Sequence, residues 1–311
     1  MPKSCRSLLG AGALLIAAAF ALTGCAAPPP QPSDTATAGT DSRPLVLTSF
    51  TVLADMVREV AGEAVQVESI TKVGSEIHGY EPTPSDLTRV RDADLVFHNG
   101  LGLEAWFGQF TAGVDVPIVT LSDGIEPLAI TVGEYSGKPN PHAWMSPTAG
   151  AVYVANIAAA LTELVPESAE RITANAAGYT SELAALSDEL TEVIADVPPA
   201  QRMLITCEGA FSYLARDVGL EEGYLWAVNQ ESQGTPQQVV SLIDTVRERQ
   251  VPAVFCESTV SAASQQVVAD ESGAVMGGTL YVDSLSDGAP VPSYLELLRY
   301  DMRTIAAGLS S

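Results

Sequence analysis

"PESAERITANAAGYTSELAALSDELTEVIADV", residues 166–197, has no proline after its first residue and a single glycine, Gly178. Ile172, Ala176, Tyr179, Leu183, Leu186, Leu190 and Val193 recur every three or four positions, the period of one helical face. A helix of roughly 30 residues is about 45 Å long. That exceeds an ordinary crossover between neighbouring strands and is long enough to join two bodies as a stiff strut. The stretch lacks a Gly/Ser hinge, so the two bodies are expected to stay close to one arrangement.

On either side, short apolar runs alternate with helical patterns. Before the strut, "LVLTSF" (45–50), "AVQVESIT" (64–71), "ADLVFHNG" (93–100) and "PIVTLS" (117–122) read as strands. "FTVLADMVREVAG" places Phe50, Leu53, Val57 and Val60 on one helical face, and "TPSDLTRVRDA" reads as a helix capped by Thr83 or Ser85. After the strut, "RMLITC" (202–207), "GYLWAV" (223–228), "PAVFCE" (252–257) and "GGTLYVD" (277–283) are strands, with an amphipathic helix at 236–250. This alternation predicts an α/β fold with mostly parallel sheets. "LVLTSFTVLADMVREVAG" and "MLITCEGAFSYLARDVG" share one strand-turn-helix grammar, a weak internal repeat that predicts two similar lobes. The expected boundaries are a first lobe at 45–165, the linking helix at 166–197 and a second lobe at 198–311.

The N-terminus carries an address. Lys3 and Arg6 precede "LLGAGALLIAAAFAL", an apolar run too short and too rich in small residues for a membrane span. It ends in "LTGC" (22–25), which resembles the lipobox of bacterial lipoproteins. The expectation is a signal peptide at 1–24, a lipid on Cys25 and a disordered Pro/Ala/Ser/Thr tether at 25–44. An ordinary secretory signal with an incidental cysteine is the alternative. Removing 24 residues from 311 leaves 287, and losing Lys3 and Arg6 takes 15 basic residues to 13 against 38 acidic ones. A net charge of about −25 argues against nucleic acid or an anionic membrane surface as partner. It would attract cations, and equally it serves solubility or salt tolerance. Beyond Cys5 and Cys25, Cys207 and Cys256 form a single pair in an oxidising compartment, expected to be a disulfide, with free thiols or a metal pair as alternatives.

Only three histidines occur in the chain. His78 sits in "SEIHGYEPTPSD" (75–86), where Gly79, Pro82 and Pro84 make a stiff loop a few residues past a strand. His142 lies between Pro141 and Pro147 in "NPHAWMSP" (140–147). Glu208 follows "RMLITC" directly, and Asp283 ends "GGTLYVD". Ligands of open α/β sheets bind beyond the carboxyl ends of strands, where these residues fall. Each also has an ordinary reading: idle surface histidines, a helix cap for Glu208, a turn residue for Asp283. Two neutral nitrogens and two anionic oxygens converging on one cleft would make a site for a hard-to-borderline cation. His98, at the end of "VFH", reads as a strand-end or cleft-wall residue, and Glu104 and Trp106 as helix and core residues. H-E-x-x-H, G-x-S-x-G and a phosphate loop are all absent. With the four candidates assigned as donors, no general base is left over for a metallohydrolase.

"IHGYEPTPSD", "NPHAWMSP", "EGAFSYLA" and "GGTLYVDSLS" resemble the metal-binding solute receptors of bacterial ABC importers, in unchanged order from about residue 45 to the C-terminus. The resemblance implies two α/β lobes joined by a long helix, with one divalent ion held in the cleft by His78, His142, Glu208 and Asp283. It implies a membrane permease and its cytoplasmic ATPase as partners, an extracytoplasmic location, no catalysis, and a chain acting as a monomer. Many members have Asp-Pro before the first histidine, where this chain has Glu76-Ile77. Zinc members usually present a third histidine where Glu208 stands, together with a His-rich acidic loop, and residues 122–140 contain no histidine. The resemblance therefore points to Mn2+, with Fe2+ or Zn2+ as alternatives. Some receptors of the family are described as surface adhesins, a class that would not need a buried ion.

Overall fold

A computed structural model describes residues 42–228 and 234–310. The expected signal peptide, Cys25 and all but the last three residues of the expected tether lie outside the described residues. At residues 43 and 44 the chain is tied to the first lobe: Arg43 donates to the Glu63 carbonyl, and the Pro44 carbonyl accepts from Gln66 N–H.

The first lobe is built on strands β1 (Leu45–Thr48), β2 (Gln66–Ser69), β3 (Leu95–His98) and β4 (Ile118–Thr120), all paired in parallel in the order β2-β1-β3-β4. Between them run α1 (Thr51–Ala61), α2 (Pro84–Asp92) and the single turn α3 (Phe107–Phe110). The expected face of α1 is buried, and so are Val52, Ala54 and Met56, because the helix packs between the sheet and later helices. Thr83 is the residue that caps α2. Its hydroxyl accepts from Asp86 N–H, the Asp86 carboxylate accepts from Thr83 N–H, and Pro84 occupies the first helical position. These are the reciprocal bonds of a capping box.

Two helices follow, α4 (Pro147–Leu164) and α5 (Ala169–Ala195). The 27 residues of α5 correspond to about 40 Å, somewhat shorter than the expected 166–197 because residues 166–168 form a separate 3-10 turn. Its buried stripe runs through Ile172, Tyr179, Leu183, Leu186 and Leu190 to Ile194, with Val193 only half-buried. A 3.6-residue period favours a step of four from Leu190, which rotates Ile194 onto the core side. The helix packs against α4 and α1 on the one hand and the C-terminal helix on the other.

The second lobe holds β5 (Met203–Glu208), α6 (Ser212–Val218), β6 (Glu221–Trp226), α7 (Pro236–Arg249), β7 (Ala253–Glu257), α8 (Ala263–Ser272), β8 (Val275–Leu280) and α9 (Tyr294–Leu309). β5 pairs with β6 and β7 with β8, both in parallel. Between β5 and β7 stands the Cys207–Cys256 disulfide, Cα–Cα 4.9 Å, one residue from the end of each strand. The two sulfurs being bonded to each other, a metal-binding pair of thiolates is excluded. β8 ends sooner than its apolar run: Tyr281 N–H turns to the Asp301 carboxylate on α9 (2.9 Å) instead of a neighbouring strand. Asp283 therefore sits three residues past the strand rather than at its end. Among the described residues, no helix is long and apolar enough to cross a membrane.

Candidate metal centre

All four sequence-selected side chains are buried, and one donor atom from each lies within 4.8 Å of the others. His78 Nε2 stands 3.1 Å from His142 Nε2, and Glu208 Oε1 lies 3.2 Å from the first and 3.5 Å from the second. Thr259 Oγ1 donates to Asp283 Oδ2 at 3.4 Å.

Each imidazole is aimed by its own loop. The Glu76 carboxylate accepts from the backbone N–H of His78 (2.7 Å) and Gly79 (2.8 Å), and Trp106 Nε1 donates to the Ile77 carbonyl (2.9 Å). Glu76, at the position that departs from the family pattern, thus shapes the loop itself. His142 donates its backbone N–H (3.0 Å) and Nδ1–H (2.9 Å) to Asn140 Oδ1. A carbonyl oxygen only accepts, so the proton of His142 is on Nδ1 and the Nε2 lone pair faces the cluster.

Glu208 is the last residue of β5, paired with Trp226, and its N–H is bound by the Glu257 carboxylate at 3.2 Å. The helix-cap reading fails, because α6 begins four residues later with Phe211 at its N-cap. Glu257 ends β7 as Glu208 ends β5, each directly after a bridged cysteine. The repeated Cys-Glu in "LITCE" and "AVFCE" was the available signal for this second acid. Burial, then the nearby Glu208, raises the Glu257 carboxyl well above the usual range.

Charge inside the cluster is unevenly divided. Burial disfavours the His78 cation, but Glu208, Asp283 and Glu76 outweigh it and lift its pKa to about 9. Burial dominates at His142 and holds its pKa below the ordinary value. Burial works against the Glu208 anion, yet the two imidazoles bring its carboxyl down to about 2. A proton on His78 thus occupies the space between two nitrogens and a carboxylate that a cation would otherwise claim.

His98 and Glu104 lie elsewhere, and Glu104, read from the sequence as a helix or core residue, precedes α3 rather than lying in it. His98 bonds Thr120 Oγ1 through Nε2 (2.8 Å) and stacks on Phe107. Glu104 is buried, accepting from Ser49 Oγ (2.6 Å) and Asn99 N–H (2.8 Å).

The fold has counterparts among known proteins. The profile of the family described as zinc-uptake complex component A, periplasmic, matches residues 46–308. The chain belongs to this family. Its relatives are substrate-binding proteins of metal ABC importers, not enzymes. The chain is 48% identical to the iron-binding protein YfeA of Yersinia pestis, across 89% of this chain and 88% of that protein. It is 31% identical to the manganese ABC transporter substrate-binding lipoprotein PsaA of Streptococcus pneumoniae, covering 96% and 97%. Among solved structures, the Mn-bound periplasmic metal-binding protein of Candidatus Liberibacter asiaticus superposes with a TM-score of 0.79 at 36% identity, over 86% of this chain and all of that one.

Proposed function

We propose that His78, His142, Glu208 and Asp283 hold one Mn2+ per chain, and that the receptor hands this ion to an ABC permease from outside the membrane, anchored by a lipid on Cys25. The observation that carries the reading is the convergence of two imidazole nitrogens and two carboxylates, from two lobes, within 4.8 Å in a buried cluster. Such a set would be costly to bury without a cation to join it. Two anionic oxygens beside two nitrogens suit Mn2+, and all four donors come from a single chain, which supports a receptor acting as a monomer. Ferrous iron is the second reading, favoured by the 48% identity to a protein named as iron-binding. Zn2+ is expected to bind more tightly than either in the test tube, as the ordering of divalent affinities requires, so affinity alone does not identify the cargo.

The test pairs metal analysis with transport. Protein purified without added metal should carry one equivalent of metal per chain, and Asp283→Ala should carry almost none. A strain lacking the gene should lose manganese uptake while iron and zinc uptake persist. Loss of iron uptake alone would move the assignment to Fe2+. Full metal content in Asp283→Ala would break the four-residue set.

A further inference from the structure

His142 belongs to the first lobe, but what orients it is anchored in the second. The Asn140 amide that accepts the two N–H groups of His142 donates from Nδ2 to the Gly209 carbonyl (2.7 Å) and to Ser212 Oγ (3.1 Å). These two bonds fix which end of the amide is oxygen, and so which nitrogen of His142 carries hydrogen. Ser212 Oγ in turn donates to Glu222 Oε2 (2.5 Å), and Glu222 Oε1 accepts from Phe211 N–H (2.9 Å). Tyr213 closes the arrangement, its hydroxyl donating to the Asn140 carbonyl (2.8 Å) and accepting from Leu128 N–H (3.0 Å). Asn140, Ser212 and Glu222 otherwise lie outside the metal cluster.

The geometry points to Asn140, Ser212 and Glu222 as a positioning relay that crosses the cleft and keeps the Nε2 lone pair of His142 aimed at the ion. The Gly209 carbonyl only accepts, so Asn140 Nδ2 donates to it and to Ser212 Oγ, which leaves the Asn140 oxygen to accept from His142; Glu222 accepts from Ser212 when ionised, burial having raised its carboxyl to about 7. The relay starts on β6, passes through the residues that follow Glu208 and ends on a donor from the other lobe. Orientation of His142 is thereby conditional on contact between the lobes. Drawing Ser212 and Gly209 away from Asn140 would loosen the grip on the imidazole as well as separate the donors.

This inference rests on His142 being a metal ligand, and the experiment separates the two. In metal-free full-length protein labelled with 15N-histidine, His142 should show the Nδ1–H tautomer. Ser212→Ala leaves the Asn140 amide held by Gly209 and the His142 backbone alone, so it should shift a minor share of His142 to the other tautomer, bind Mn2+ about 3- to 10-fold more weakly and alter the visible bands of bound Co2+. Ser212→Thr should restore all three. Asn140→Leu should weaken Mn2+ by about 10- to 100-fold, and Glu222→Gln by less than Ser212→Ala, because glutamine keeps one of the two acceptors. A wild-type tautomer and wild-type Mn2+ affinity in both Ser212→Ala and Glu222→Gln would overturn the relay. So would a lowered melting temperature with unchanged tautomer and Co2+ bands, which marks a merely structural role. If the tautomer responds as described but His142→Ala binds Mn2+ like wild type, the relay stands and the ligand assignment falls.

Discussion

β1–α1 and β5–α6 begin alike and end with opposite outcomes. In each, a threonine near the strand's end bonds the carbonyl two residues on: Thr48 Oγ1 to Phe50 at 3.0 Å, Thr206 Oγ1 to Glu208 at 2.6 Å. In each, a buried phenylalanine stands at the helix N-cap without a side-chain cap bond, Phe50 for α1 and Phe211 for α6. In the first lobe the residue whose carbonyl the threonine bonds, Phe50, is itself the helix cap. In the second, Gly209, Ala210 and Phe211 intervene, and the residue after the shared turn is free of helical duty. Phe50 goes into the core, edge-on to Trp144 at 5.0 Å. Glu208 goes into the cleft. Three added residues separate a packing position from a donor position, and the repeated grammar alone does not make a site.

The largest expected effect breaks the comparison at its two ends. Glu208→Ala removes a donor and a charge and should weaken Mn2+ binding by more than about 100-fold, read by calorimetry. Phe50→Ala should cost about 3–5 kcal/mol of stability, read by denaturant unfolding, and leave four donors in place. Equal losses of affinity in both variants would mean that the turn, rather than the residue it presents, governs the site.

The next effect concerns the covalent cross-link that only the second lobe possesses. Closing a loop across a sequence separation of 49 contributes about 4 kcal/mol in the chain-entropy account. Cys207→Ser/Cys256→Ser should lose much of that stability, together with some affinity, since the bond precedes Glu208 directly. Unchanged unfolding midpoints in oxidised wild type and the double variant would contradict it.

Acidity probes the imidazole side. With its pKa lifted to about 9, His78 should carry a proton in the metal-free protein at neutral pH, which a bound Mn2+ would have to displace. Affinity should therefore climb with pH through neutrality, about tenfold per unit while one proton leaves, and flatten near pH 9. The stability contribution of His78 in the metal-free protein is fully present below its unfolded pKa, about 6.5, and is lost as pH rises through about 9. The Mn2+-loaded protein should lack that decline. Proton release on metal addition in weak buffer measures the first claim, and thermal unfolding at several pH values the second.

The smallest effect sharpens the comparison without breaking it. Thr48→Val and Thr206→Val should each cost about 1 kcal/mol of stability. Only Thr206→Val should also reduce Mn2+ affinity, by a few-fold.

The sequence disclosed these features unevenly, for physical reasons. Strand-helix alternation was legible because apolar periodicity is imposed by burial, and His78 and His142 stood out because prolines stiffen the loops that carry them. The end of β8 was not legible, since Tyr281 leaves the sheet for a carboxylate 20 residues away on α9, a contact with no local signal. Glu221 and Glu222 open β6 although neither is apolar, so its expected start came two residues late. Asn140 could not be singled out in "NPHAW", because asparagine before proline is equally a turn residue. Its function depends on where Gly209 and Ser212 arrive in space.

One consequence follows from the way α5 is held. Asn175 bonds the Val60 carbonyl of α1 at 3.1 Å, while Glu189 pairs with Arg299 and Arg303 of α9 at 2.9 and 3.0 Å. A beam fastened near both ends to different lobes resists twist as well as bending, and Gly178, its one glycine, lies within a continuous helix. Loaded and empty molecules should therefore cast nearly the same silhouette, with superimposable solution-scattering curves. A permease that must tell cargo from no cargo would then read the texture of the cleft's rim, not the outline of the molecule.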